Sequence, residues 1–388
     1  MILVRCVPDA HLFGLSGRDS KLQIYNEAKI ENRTARHLPR ILPMKNLFLI
    51  VTLLISIACT RDFADQASNG SVRPQPSPTA TPTVTPAPTP AAEKLDTALQ
   101  TELAQIAEAA KGKVGIGAVL IETGDAAYLD RSGHYPMQSV YKLPIAMAVL
   151  KMIDEGKVSI GQEVSITPDD FVRRGFHSPI RNANPQGTTM NVYGIMRYSI
   201  SESDGTASDV LLDLAGGPQA VMTYLAGIGV SDLVVADSEK SISKDWETQY
   251  RNWSTPEASV KLLHQLHTKQ AGLTESSTTV LFKFLAETET GRRRIKRGLP
   301  DGATVAHKTG TGGTKNGITG ATNDIGIITL PDGRHIILAV YVSDSPADGP
   351  TREKVIADIA KAVIEKWAPE TSSEKASNSN ARPLGTRQ

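Results

Sequence analysis

The stretch MQSVYKLPIAMAVL, Met137 to Leu150, decides how this chain is read. From Leu143 to Leu150 every residue is apolar, which predicts a helix buried on all sides. Yet the run opens on Ser139 and carries Lys142 three residues later, and positions i and i+3 share a helix face. An ammonium among apolar side chains is costly unless something pairs with it. Either Lys142 snorkels to water above an ordinary serine-capped helix, or another group in the fold requires it. At a helix start the free N–H groups and the dipole favour negative charge, so an attacking serine oxygen and the oxyanion it creates would both be stabilised there. A lysine whose pKa is lowered by desolvation or by other cations can accept that serine's proton.

Two further fragments bear on this choice. In SESDGTASDVLL, Ser203-Asp204-Gly205 stands just ahead of a predicted helix and by itself reads as an N-terminal cap. In HKTGTGG, Lys308-Thr309-Gly310 ends a strand-like run. A strand edge with a cation, a hydroxyl and a glycine can pair with an extended substrate while the cation attracts a carboxylate.

The surrounding pattern predicts an α+β domain over 94–368. Leu95, Leu99, Leu103 and Ile106 recur on one helical face, and VGIGAVLIET followed by AAYLD reads as a β-hairpin across Gly124-Asp125. Residues 140–290 are mainly helical in pattern. ATVAHKTG, GATNDIGIITL and RHIILAVYVS then read as three strands, the last two joined across Pro331-Asp332-Gly333, and a helix from Arg352 to Trp367 closes the domain. Strands at both ends around a helical middle imply one antiparallel sheet built from the two termini, flanked by helices, with an all-helical lobe inserted.

Before the domain, MKNLFLIVTLLISIAC has a basic start at Lys45 and an apolar core from Leu47 to Ile57, too short for a span of roughly 20 residues but suited to an export signal. Residues 1–43 are then an upstream extension, 44–58 the signal, and Met44 the working start. Residues 59–93 form a linker, with seven prolines between Pro74 and Pro90. At ~3 Å per residue its Pro-rich part would hold the domain roughly 50 Å from an anchor. The polar tail, 369–388, has the composition of a disordered segment.

The 388 residues carry 42 basic and 41 acidic side chains, a net charge of +1 that gives no electrostatic basis for a nucleic-acid partner. Cys6 and Cys59 both precede the domain, which therefore has no internal disulfide or thiolate metal site. His264 and His267 are the only close histidine pair and lack a nearby acidic third ligand, so packing is expected of them, with no metal and no cofactor.

S-x-x-K at 139–142, S-D-x at 203–205 and K-T-G at 308–310 stand in that order. With them the chain resembles the penicillin-recognising serine hydrolases, and most closely the class A β-lactamases, over essentially all of 94–368. The resemblance implies Ser139 as nucleophile, Lys142 as its proton partner, Ser203 as proton shuttle and Lys308 as the cation that holds Ser203 and the substrate carboxylate. It implies an oxyanion hole at the N–H groups of Ser139 and Thr311, and substrate contacts from Gly205, Thr309, Gly310 and Thr311. It also implies a small β-lactam as substrate. Cys59 resembles a lipobox cysteine, with Ser56 where leucine is usual, which implies possible lipid anchoring of an exported, periplasmic protein; a stalked monomer is the default.

A β-lactamase also needs a carboxylate to direct water at the acyl-enzyme. Glu247, in DWETQYRN, resembles the tryptophan-glutamate start of the class A omega loop. Glu239 lies 34 positions after Gly205 and 17 before Pro256, spacings that agree with class A, and QYRNW (249–253) is similar to an altered omega loop found in one subgroup. Glu239 is the expected base. Gly205 and Ser243 replace usual asparagines, with Asn252 a candidate to compensate for the second. Phe176 or His177 is expected on the aromatic wall, and Lys315 at the carboxylate, since the strand after K-T-G brings no arginine. Without the deacylating carboxylate the same motifs suit a D,D-peptidase, and a third reading is a non-catalytic lipoprotein that binds through this fold.

Overall fold

The computed structural model describes residues 93–368. In chain order they form β1 (Lys94–Leu95), α1 (Thr97–Ala107), β2 (Lys113–Leu120), β3 (Asp125–Leu129), β4 (Tyr135–Pro136), α2 (Lys142–Asp154), β5 (Glu163–Ile166), α3 (Pro179–Ala183), β6 (Thr188–Asn191), α4 (Val192–Ile200) and α5 (Gly205–Leu214). There follow α6 (Pro218–Gly227), β7 (Leu233–Val234), α7 (Glu239–Ile242), β8 (Trp253–Ser254), α8 (Pro256–His267), α9 (Glu275–Ala286), β9 (Thr304–Thr311), β10 (Thr314–Lys315), β11 (Ile318–Thr329), β12 (His335–Ser345) and α10 (Gly349–Trp367). The export signal, Cys59, the proline-rich linker up to residue 92 and the tail from 369 lie outside the described residues.

The two ends of the domain build one sheet in the order β1-β3-β2-β12-β11, with β9 and β10 both on the outer edge of β11. Every pairing is antiparallel except the two-residue β1–β3 contact, so the fold is α+β as the pattern implied. Helices cover both faces, which is why β11 and β12 are buried nearly throughout. Along β12 the alternation divides the core: Ile337, Ala339 and Tyr341 face the helical lobe, whereas Ile336, Leu338, Val340 and Val342 face the layer of α1 and α10.

Two helix boundaries differ from the sequence reading. Leu95 belongs to β1 and is 55% exposed; α1 starts beyond it, where the Asp96 carboxylate accepts from the Leu99 N–H. Helix α10 begins three residues before Arg352, because Asp348 caps it and Pro350 fits its first turn, where a missing N–H costs nothing.

Helix α2 is the axis of the lobe, buried from Lys142 to Leu150 and packed against α4, α5, α6 and α9. Its partner for the site is α5. Asp204 caps α5 by accepting from the Ala207 N–H at 2.9 Å, and it also accepts from the Ile180 N–H at 2.7 Å and from Ser178 Oγ at 3.0 Å. These bonds pin the turn in which Ser203 adopts a φ of 58°. Asp204→Ala strands these buried donors and should cost about 3 kcal/mol in urea unfolding; a loss under about 0.5 kcal/mol would contradict this role for the cap.

Candidate active site

Lys142 is the first residue of α2, directly after a 3₁₀ turn, Gln138–Tyr141, that carries Ser139. It is 1% exposed and does not snorkel. Its ammonium pairs with Glu239 Oε1 at 2.9 Å and donates to the Ser203 carbonyl at 2.8 Å. A second buried ammonium, Lys308 on β9, donates to Ser203 Oγ at 2.9 Å and to the Thr309 carbonyl at 3.1 Å. Burial first, and then the nearby charge of Lys142, hold Lys308 well below the usual lysine range. The three fragments thus meet at Ser203, whose carbonyl takes one lysine and whose hydroxyl takes the other.

Above this cluster opens a cavity of about 450 Å³, walled by Ser139, Lys142, Ser203, Glu239 and Thr311. Phe176 and His177 stand on one side of it. Trp246 and Ser243 stand on the wall as well. Thr311 ends β9, which pairs with β11 on one edge only. The Gly312 N–H donates to the Ala321 carbonyl at 2.9 Å, so by antiparallel alternation the Thr311 N–H points off the opposite, open edge.

Glu239 opens the short helix α7 and is buried. Its N–H donates to Asp209 Oδ1 at 2.7 Å, and the Lys240 N–H donates to Asp209 Oδ2 at 2.9 Å. Burial, opposed by these two N–H bonds and reinforced by the charge of Glu239, pushes the Asp209 carboxyl up to about 7. Glu247 is exposed at the start of a 3₁₀ turn, Glu247–Arg251, and does not reach the cavity wall.

Several expected contacts fall elsewhere. Gly205 does not line the cavity: it donates to the His177 carbonyl at 2.9 Å, and a Cβ on it would lie 3.3 Å from Glu239 Cγ, so its bareness lets the base and the 172–177 loop close over α5. Thr309 is buried, with its hydroxyl 2.6 Å from that of Thr290. Gly310 is a close-approach position, since a Cβ there would meet the Met137 carbonyl at 2.3 Å; it lets β9 lie against the Ser139 turn. Asn252 does not compensate for Ser243. Its amide is spent on the backbone, accepting from the Ala236 and Asp237 N–H groups and donating to the Asp237 carbonyl.

The arginine absent from the strand arrives from another segment. Arg294, 5% exposed, donates to Thr311 Oγ1 at 2.7 Å, to the Asn323 carbonyl at 2.8 Å and to the Gly310 carbonyl at 3.1 Å. Lys315 is exposed, with its ammonium 5.9 Å from the Trp246 ring centre. Sequence reasoning missed Arg294 because it sits in GRRRIKR, which reads as a solvated run of charge. Gln138 and Gln249 were missed too; they join across the cavity floor at 2.9 Å. His264 and His267 are half-buried on α8, and among the described residues no group of three or more His, Cys, Asp or Glu side chains is placed to hold a metal.

A sheet made from both chain ends, a helical lobe, and a serine turn flanked by two buried lysines at their seam define the class: a penicillin-recognising serine hydrolase. Comparison with known proteins narrows this. A family model described as "Beta-lactamase enzyme family" matches residues 98–367. The chain is 40% identical over 264 residues to β-lactamase VEB-1 of Pseudomonas aeruginosa, covering 68% of this chain and 88% of that protein. It is 35% identical to the extended-spectrum β-lactamase PER-1 of the same organism, covering 68% and 85%. Among solved structures, a β-lactamase from Chitinophaga pinensis superposes with a TM-score of 0.67 at 40% identity, over 69% of this chain and 99% of that one. The extended-spectrum β-lactamase TLA-3 gives 0.68 at 36%, over 71% and 99%. The chain belongs to the β-lactamase enzyme family and within it is a class A serine β-lactamase.

Asp209 generates a pH prediction. Its folded-state pKa of about 7 lies above the ordinary carboxyl value of about 4, so the stability it contributes is present below pH ~4 and is lost as pH rises through about 7. Asp209→Asn should flatten that decline, by on the order of a few kcal/mol between pH 5 and 8 in urea titrations. Parallel pH profiles for the two proteins would contradict it.

Proposed function

We propose that this chain hydrolyses the amide of β-lactam antibiotics through an acyl-enzyme on Ser139, and so protects the cell that makes it. The observation that carries the reading is the Lys142–Glu239 pair at 2.9 Å beneath the cavity that Ser139 lines. Ser139 Oγ attacks the lactam carbonyl, its proton passing through a water to Glu239, or to Lys142 once Lys142 has handed its own proton to Glu239. The N–H groups of Ser139 and Thr311 receive the oxyanion. Ser203, held by Lys308, hands its proton to the departing nitrogen and recovers the one taken from Ser139, which resets Lys142 and Glu239. The ring carboxylate lies toward Thr311, whose hydroxyl Arg294 holds. Glu239 then takes a proton from water, which attacks the ester and frees Ser139.

This last step favours a hydrolase over a D,D-peptidase, because a buried carboxylate at the cavity wall serves water rather than an amine acceptor. The export-signal pattern at 44–58 supports work outside the cytoplasm, with Cys59 as a lipid anchor, and a single chain contains every group the reaction requires. No metal or cofactor enters these steps.

The purified protein should hydrolyse nitrocefin rapidly. Ser139→Ala should lower kcat by at least 10³-fold, and Glu239→Gln should still be acylated but stall, with the adduct visible in the intact mass. Turnover by Glu239→Gln at the parent rate would remove Glu239 as base. Slow trapping of penicillin by the parent protein would favour the peptidase, and no labelling at all would favour a binding module.

A further inference from the structure

Between Ser139 and Lys142 the chain places Tyr141, a side chain the reaction above does not use. It is fully buried and turned away from the cavity wall. Its hydroxyl makes no hydrogen bond of ordinary geometry, and neither does that of Ser208, which precedes Asp209 on α5. Two orphaned hydroxyls in one buried place are uncommon and call for a reason.

Both belong to the rear of Glu239. Burial holds the Tyr141 phenol well above its usual range, followed by the negative charges of Glu239 and Asp209, and the polar side chains its oxygen faces are Ser208 and Glu239. The groups that face Glu239 from the packed elements are Lys142 from α2, on its carboxylate, Asp209 from α5, on its backbone N–H, Tyr141 from the serine turn, itself backed by Ser208, and, at longer range, Lys308 from β9. At rest Lys142 supplies its donor at 2.9 Å. As water attacks the ester, the Lys142 ammonium also has to serve the departing Ser139 oxygen. A buried carboxylate that loses its donor is driven toward its protonated form, which cannot act as a base. A neutral phenol that does not ionise in the working pH range can donate in its place without adding charge.

We propose that Tyr141 is a positioning residue for the water-attack step: backed by Ser208, its hydroxyl donates to the Glu239 carboxylate when the Lys142 ammonium turns to the departing Ser139 oxygen, and keeps that base ionised and aimed. The inference rests on the reading of Glu239 as the deacylating base.

Tyr141→Phe removes one oxygen and leaves the ring in the core. Stopped-flow kinetics across pH 5–9 should show deacylation slowed about tenfold, as for loss of a hydrogen bond to a charged group, with acylation within about twofold. Acyl-enzyme should accumulate. The acid limb of kcat should move to higher pH, because a carboxylate without its donor is a stronger base. Ser208→Ala should move the limb the same way by less, and it carries the test if Tyr141→Phe does not fold. Unchanged deacylation and an unmoved limb would overturn the proposal, as would equal slowing of both half-reactions with the limb in place. Glu239→Gln, run alongside, separates the two claims. If it stalls as acyl-enzyme while Tyr141→Phe behaves as the parent, only Tyr141 loses its role; if it turns over normally, the reading of the base falls.

Discussion

A lysine ammonium with almost no path to water is the constraint on which the rest of the site depends. Apolar side chains on α2 exclude solvent from Lys142, so its charge must be met inside, and Glu239 and the Ser203 carbonyl meet it. Removing one partner of such a pair strands a buried charge, at a typical cost of 3–5 kcal/mol. The elements that bring these partners, α5 and α7, are therefore held to α2 by more than packing. The same desolvation sets the second lysine apart. Lys308 lies in the field of Lys142 and is pressed toward its neutral form, while Asp324 and Glu239 oppose that pressure.

The fold supplies the geometry through a few close approaches. β9 lies against the serine turn because Gly310 has no side chain, and Asn323 on β11 donates to the carbonyls of Pro136 and Met137 just upstream of Ser139. Gln249 occupies the space that side chains on Gly312 and Gly320 would fill, joining the 245–251 loop to the β9–β11 edge. Strand edge, serine turn and loop are thereby fixed to one another, although the serine turn lies more than a hundred residues from the other two.

What the sequence made legible follows from this. Ser139 and Lys142 could be paired by spacing alone, because a helical turn fixes their relation, and the alternating strands near both termini implied one sheet. Glu239 was placed by its distance along the chain, not by its neighbours, and the better-lettered Glu247 proved to be an exposed loop residue. Arg294, Trp246 and Gln249 were not legible, since their contacts depend on loop paths with no periodicity. Gly205 and Asn252 were misread for a related reason: whether a side chain reaches a cavity or a neighbouring backbone depends on the packing of elements the local text does not describe.

Lys142 and Glu239 stabilise each other as a buried ion pair. A double-mutant cycle in urea unfolding with Lys142→Met and Glu239→Gln measures this directly. Each single change should destabilise the protein, and the double variant should be more stable than the two losses added together would allow, with a coupling of about 2–3 kcal/mol. Additive losses, with coupling below about 0.5 kcal/mol, would contradict it.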